Sequence, residues 1–287
     1  MPGSSVRAAI SQMNQAGIEM NPHLTLLGIK VLGIDSKLKA GTYSVKSGST
    51  PWDVLTMLKK GEVSLIELRF PEGWNLRQWL QYLAAQPDIE HKISSAADVV
   101  RLVGIAESNA EGMFFPDTYK VDKRSSDVEL LQKTYAAQRD RLIAAWKQRA
   151  SNLPYRTPYE ALIMASIVEK ETGRAEDRKR VAAVFVNRLR TGMRLQTDQT
   201  VIYGMGNAYE GNIRKSDLLT DTPYNTYTRS GLPPTPIAMP GLASIEAALH
   251  PADEDIYYFV ARGDGSSQFS RTLPEHNAAV GRYQLKH

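Results

Sequence analysis

The sequence predicts an α+β fold, in which a small strand–turn–helix unit leads into a longer, helix-rich α+β region. Three observations carry that prediction. Two early runs, Gly41–Val45 and Val63–Phe70, alternate as half-buried strands do, and a well-signalled helix lies between them. From residue 75 onward, apolar residues recur at helical spacing in several segments bounded by cap and stop signals. Late in the chain, Tyr257–Ala261 and Gln268–Ser270 flank an Asp264-Gly265 turn and read as a strand pair.

Taken in order, residues 6–32 begin with helical spacing (Val6, Ile10, Met13) before Gly17 and Pro22 punctuate it. Gly41–Val45 is read as a short strand and Lys46–Thr50 as a turn. Thr50 is an N-cap, with Pro51 in the first helical position and Asp53 in the first turn, and Gly61 ends that helix. Val63–Phe70 is the next strand, and Pro71-Glu72-Gly73 turns the chain. Asn75–Ala85 is a helix with Trp79, Leu80 and Leu83 inward, and 96–106 and 127–150 are further helices. Between those two lies an aromatic-rich loop, Glu111–Tyr119. Ser151–Pro158 holds two prolines and marks an internal boundary. The expected regions are therefore 1–69, 70–150 and 151–287. Thr157-Pro158-Tyr159-Glu160 is read as a capping box, with its helix running to Thr172 and stopping at Gly173. Glu176–Arg190 puts Val181, Val184, Phe185 and Leu189 on one face, with Gly192 as its cap. Short segments rich in Gly, Pro, Tyr, Asn and Thr extend to Gly241, and Ser244–Leu249 is a short helix.

Composition narrows the function classes. The chain has 287 residues, which corresponds to about two domains. With 42% hydrophobic and 23% charged residues it is neither disordered nor collagen-like nor a coiled coil. The net charge of +4 is spread along the chain with no basic stripe, which argues against nucleic acid. The basic bias suits a polyanionic cell wall or membrane surface, although an ordinary solvated surface is the plainer account. The lack of cysteine excludes disulfides, thiolate metal sites and a cysteine nucleophile. No run approaches the roughly 20 apolar residues of a bilayer span. The longest, Ala161–Val168, is interrupted by Ser166. Met1–Ser5 lacks the features of a signal peptide.

Among residues that could carry chemistry, Glu169 and Glu171 come first. At about 100° per residue they project roughly 200° apart and cannot share a face. Glu169 follows Leu162 and Ser166 on what reads as the more polar edge, whereas Glu171 lies over Met164, Ile167 and Val168. A carboxyl over an apolar face is desolvated, its pKa rises, and it suits general-acid work near neutral pH. The plain alternative is a helix-end ion pair from Glu171 to Arg174 or Arg178. Arg194–Gly204 brings together Gln196, Asp198, Thr200 and Tyr203, an inventory that suits sugar hydroxyls and the apolar face of a sugar ring. The alternative there is a turn followed by a strand. Tyr224, Asn225 and Tyr227 lie on a proline-stiffened stretch that forms either a cleft wall or a surface loop. His250 and His276 are isolated, so no metal is expected, and no phosphate-binding loop or nucleophilic serine context is present.

Together these blocks resemble a known family, the MltG/YceG-like endolytic murein (lytic) transglycosylases. The similar blocks are Ala165–Thr172, Val184–Leu189, Met193–Asp198, Val201–Gly204, Tyr224–Tyr227 and Gly231–Pro234, with Phe114–Tyr119 and Pro71–Trp74 upstream. Lys39–Leu58 resembles the family's LysM-like module, so the fold implied is a small LysM-like βα module followed by a helix-rich α+β catalytic region. The resemblance implies endolytic cleavage between N-acetylmuramic acid and N-acetylglucosamine of nascent glycan strands, with a 1,6-anhydro product and, in effect, an end to strand elongation. The family's catalytic glutamate matches Glu171, the second acid of Glu169-Lys170-Glu171. Gln196, Asp198, Thr200, Tyr203, Tyr224, Asn225 and Tyr227 are the expected substrate-binding residues. Gln199 stands where the resemblance leads one to expect proline. No cofactor is implied. The resemblance further implies a native form held by an N-terminal helix in the bacterial inner membrane, facing the periplasm, with peptidoglycan synthases as expected partners. Two other classes compete. A non-catalytic peptidoglycan-binding scaffold would not need Glu171. A pyridoxal-phosphate lyase would need a Schiff-base lysine, for which Lys170 is available, and a phosphate cup, which is missing.

Overall fold

The computed structural model describes residues 6–33 and 41–284. Met1–Ser5, and Lys39 and Ala40 of the LysM-like block, lie outside the described residues. The chain forms two compact units. The first comprises 1–68, 87–90 and 118–126, and the second comprises 69–86, 91–117 and 127–287.

The first unit contains α1 (Val6–Gln15), α2 (Pro22–Leu32), α3 (Pro51–Lys60), and β1 (Leu65–Arg69) paired with β2 (Thr118–Asp122). Pro22 does not break a helix. It opens α2 at the first position, where no amide hydrogen is needed, and Asn21 caps it by accepting from the backbone N–H of His23 and Leu24. In α3 the expected signals are all present. Thr50 and Asp53 form a reciprocal capping box, and Gly61 closes the helix at φ 67°. Ile10, Met20, Ile29, Val54, Leu55 and Leu58 form the unit's core. Gly41–Val45 is a correction, because it forms no ladder strand. Thr42 accepts one backbone bond from Ser64 N at 2.8 Å, and its hydroxyl donates to the Lys123 carbonyl at 2.6 Å.

The second unit is mostly helical. It holds α4 (Leu76–Ala84), α5 (Ala96–Val103), α6 (Asp127–Lys147), α7 (Pro158–Glu171), α8 (Ala175–Arg190), α9 (Asp198–Met205), α10 (Lys215–Leu219) and α11 (Leu242–Leu249). A hairpin of β3 (Tyr258–Ala261) and β4 (Ser267–Ser270) follows, and then α12 (Leu273–Tyr283). The hairpin is antiparallel, with Tyr258 opposite Ser270 and Val260 opposite Gln268. α7 lies at the centre of this unit and packs against α6, α8, α9 and α11. Every residue from Ala161 to Val168 is buried. Phe70, Trp79 and Phe114 stack in the same unit, with ring centroids 4.0 and 5.7 Å apart.

In this unit α9, α10 and α12 were not foreseen. α9 carries Thr200-Val201-Ile202-Tyr203, a string of strand formers that becomes helical because its neighbours bury Thr200 and Val201. α10 is one short turn-and-a-half inside the Gly/Pro/Asn-rich stretch. α12 starts from a capping box between Thr272 and Glu275, with a proline in its first turn. Among the described residues, no helix is long and apolar enough to cross a membrane.

Candidate active site

The site begins at the end of α7. Thr157 accepts from the backbone N–H of Glu160 and Pro158 fills the first helical position, so the helix starts where expected. The box is not reciprocal, however. The Glu160 carboxylate reaches the backbone N–H of Arg156 and not that of Thr157. Ser166, in the middle of the apolar stretch, is fully buried and satisfied twice. Its hydroxyl donates to the Ile163 carbonyl at 2.7 Å and accepts from Ile237 N at 2.9 Å. The helix therefore has no polar edge along its buried stretch, in contrast to the reading that put Glu169 on one. It ends at Glu171, one residue early, with Thr172 as its cap.

The two acids beside Lys170 do different things. Glu169 accepts from Gly241 N at 3.0 Å and from the Ser244 hydroxyl at 2.7 Å, so its charge sits at the N-terminus of α11 and caps that helix. Glu171 points elsewhere, into a cleft of about 600 Å³. Burial, with the negative charge of Asp198 adding to it, pushes its pKa up to about 7 against the lowering effect of a hydrogen bond donated by the Thr197 hydroxyl. The ion-pair alternative is not realised, because Arg174 pairs with Glu176 at 3.6 Å and the charge of Arg178 acts on Glu72.

The loop that carries Thr197 is built rigidly. Gln196 takes a left-handed φ of 51°, and its N–H donates to the Thr226 carbonyl. Thr197 N donates to the Thr226 hydroxyl at 3.1 Å, which pairs with the Thr200 hydroxyl at 2.9 Å, and that hydroxyl in turn donates to the Thr197 carbonyl. From beneath, the Arg188 guanidinium donates to the carbonyls of Leu195 and Tyr257, both at 2.7 Å. A buried arginine with this many carbonyl acceptors locks the loop to the hairpin.

The sequence-predicted residues separate into three groups. Glu171, Gln196, Asp198 and Tyr227 line one cleft, where the Tyr227 hydroxyl donates to Asp198 Oδ1 at 2.6 Å. Tyr203 and Tyr224 line a second compartment of about 640 Å³, with their rings edge-to-face at 4.9 Å. Thr200 and Asn225 line neither compartment and lie inside the wall. Asn225 Nδ2 donates to the carbonyls of Asp217, Leu218 and Thr220, and its Oδ1 accepts from Tyr227 N, so it shapes the cleft from behind. Gln199 lines both compartments and joins them.

Several residues at the site were not assigned to it from sequence. Glu111, 3% exposed, accepts from Leu76 N and from the Tyr203 hydroxyl at 3.0 Å, and burial pushes it up to about 7. Tyr258 and His276 stack at 5.2 Å and line the Glu171 cleft. Burial, joined by the charge of Arg188, lowers the His276 pKa. Local sequence gave no cue for Glu111, whose hydroxyl donor lies 92 residues away.

Comparison with known proteins agrees with this architecture. A model of the YceG-like family matches residues 1–282. The endolytic murein transglycosylase of Bacillus subtilis (strain 168) is 39% identical over 173 residues, which cover 60% of this chain and 48% of the relative. That of Streptococcus pneumoniae serotype 2 is 29% identical over an alignment covering 98% of this chain and 57% of the relative. The chain thus spans about half the length of the curated relatives it matches. A 2.6 Å crystal structure of a yceG-like protein from Listeria monocytogenes matches with a TM-score of 0.61 at 31% identity, over 96% of this chain and 95% of that one. With a family model matched over nearly its whole length and an α+β fold shared with that structure, the chain belongs to the YceG-like family.

Proposed function

We propose that this protein is an endolytic peptidoglycan lytic transglycosylase with Glu171 as its acid/base. The observation that carries the reading is the Glu171 carboxyl, which faces an open cleft while burial holds it near half-protonation at neutral pH. A group so poised can give a proton and take one back within a single turnover. The names of the relatives, endolytic murein transglycosylases, support the same chemistry.

In the first step neutral Glu171 gives its proton to the glycosidic oxygen between N-acetylmuramic acid and N-acetylglucosamine. The C1–O bond breaks and positive charge develops at C1. In the second step the Glu171 carboxylate takes the proton of the muramyl 6-hydroxyl as O6 bonds to C1. The product is a 1,6-anhydro ring, and no water is consumed. The 6-hydroxyl is held in the same sugar, so its attack needs no second carboxylate to activate water. The Asp198 carboxylate, held by Tyr227, supplies negative charge on the wall of the same cleft and so stabilises the cationic transition state. Gln196 and Tyr227 offer polar contacts to the sugar there. Thr197 keeps the Glu171 carboxyl in one orientation.

This reading places the work where nascent strands emerge, at the outer face of the bacterial inner membrane. Anchoring and partnership with peptidoglycan synthases belong to it as proposals. Mass spectrometry of peptidoglycan treated with the wild-type chain and with Glu171→Gln tests it. Wild type should yield 1,6-anhydromuramyl ends and the variant none. Reducing ends from wild type would show hydrolysis and overturn the one-acid scheme.

A further inference from the structure

The second compartment presents an unbalanced set of hydrogen-bonding groups. Arg77, Lys170, Asn75 and Gln78 line it, together with Tyr203, Tyr209 and Tyr224. The acceptor oxygens of Asn75 and Gln78 are occupied, because each takes the other's backbone N–H in the capping box of α4. Their amide NH2 groups have no protein acceptor among the described residues. Lys170 donates only to the Gly73 carbonyl at 3.4 Å, and Arg77 bonds the neutral amide of Asn207. Neither cation is ion-paired among the described residues. The one acid present, Glu111, is buried, with its oxygens already held by Leu76 N and the Tyr203 hydroxyl. The lining thus combines four donor side chains, two of them cationic, with three tyrosine rings. Its complement is an anionic, acceptor-rich ligand with apolar parts.

The compartment is joined to the Glu171 cleft through Gln199, whose side-chain amide also has no protein partner among the described residues. A ligand bound here would therefore be continuous with one bound at Glu171. We infer that this compartment takes the carboxylate-bearing peptide substituent of a glycan strand whose sugars lie in the Glu171 cleft, with Arg77 and Lys170 binding the carboxylate and the tyrosines covering the peptide. The inference rests on the transglycosylase reading and assigns the substrate feature that this site selects.

The test compares glycan strands carrying their carboxylate-terminated peptides with the same strands stripped of peptide by an amidase. Binding is measured on the full chain bearing Glu171→Gln, which needs no turnover. That chain should bind peptide-bearing strands at least about tenfold more tightly, with the difference shrinking as salt rises. Adding Arg77→Gln and Lys170→Gln should bring the two affinities within about threefold. Arg77→Lys with Lys170→Arg, which retains both charges, should restore most of the preference. Equal affinity for the two strands, or an equal loss for both in the double-Gln variant, overturns the assignment. If the strands bind with peptide preference but wild type does not cut them, the transglycosylase reading fails and this site stands. If wild type cuts both strands with equal kcat/KM and binds them equally, the reverse holds.

Discussion

Glu171→Gln should stabilise the protein, and only above the pH range in which free carboxyls ionise. In the folded chain the Glu171 carboxyl titrates at about 7, against 4.5 for an unperturbed glutamate. Below pH 4.5 folded and unfolded states are both protonated there, and the group leaves stability unchanged. Between 4.5 and 7 the unfolded chain loses this proton while the folded chain keeps it, so stability falls as pH rises. Above 7 the penalty is complete, and the gap corresponds to about 3 kcal/mol at most. Glutamine mimics the neutral acid, and its oxygen can still accept from Thr197. At pH 8 the variant should therefore melt roughly 6–12 °C higher than wild type, given about 2–4 °C per kcal/mol for a unit of this size. At pH 4.5 the two should melt together. Circular dichroism melts across that range measure it. A variant no more stable than wild type at pH 8, or one with the same gain at pH 4.5, would refute the claim that burial raises this carboxyl. Glu111 is raised to about the same value, so a pH slope should persist in the variant.

Thr197→Val keeps the shape of a buried side chain but removes the hydroxyl that favours ionised Glu171. The basic limb of the pH–kcat/KM profile should move up by about one pH unit, and a downward move would contradict the assigned hydrogen bond. Asn225→Ala deletes four hydrogen bonds at a residue 1% exposed. It should lower stability by about 3 kcal/mol in urea titrations, and a change under 1 kcal/mol would place the loop's support elsewhere. Glu169→Ala uncaps α11, should cost about 1–2 kcal/mol of stability and should leave turnover intact, in contrast to Glu171→Ala.

The legible parts of this fold are those whose signals are local. The Thr50 box, the Asn75 cap and the Thr157–Pro158 start each need only four consecutive residues, and each begins a helix where expected. α12 had the same kind of signal in Thr272–Glu275 and could have been found by the same rule. α9 could not, because Thr200, Val201, Ile202 and Tyr203 prefer strands locally, and only tertiary burial makes them helical. Gly41–Val45 errs the opposite way. It alternates like a strand, but one backbone bond from Ser64 does not make a ladder.

The site divides along the same line. Glu171 was singled out because it follows Met164, Ile167 and Val168 at the end of a stretch buried from Ala161 to Val168, where a carboxyl is desolvated unless a partner comes from elsewhere. That partner, the Thr197 hydroxyl, arrives from 26 residues further on. Its loop holds its shape through Thr226, Arg188 and Asn225, whereas Thr197 alone among the described residues hydrogen-bonds the Glu171 carboxyl. The same sequence block therefore supplies cleft surface (Gln196, Asp198), an orienting hydroxyl (Thr197) and buried scaffold (Thr200) within five residues. Residue type alone does not separate these roles, because a hydroxyl suits a sugar and a buried backbone carbonyl equally well. Burial separates them: Thr197 and Thr200, both buried, direct their hydroxyls to protein, whereas the side-chain amides of Gln196, exposed at a left-handed φ, and Gln199, at the junction of the two compartments, have no protein partner among the described residues.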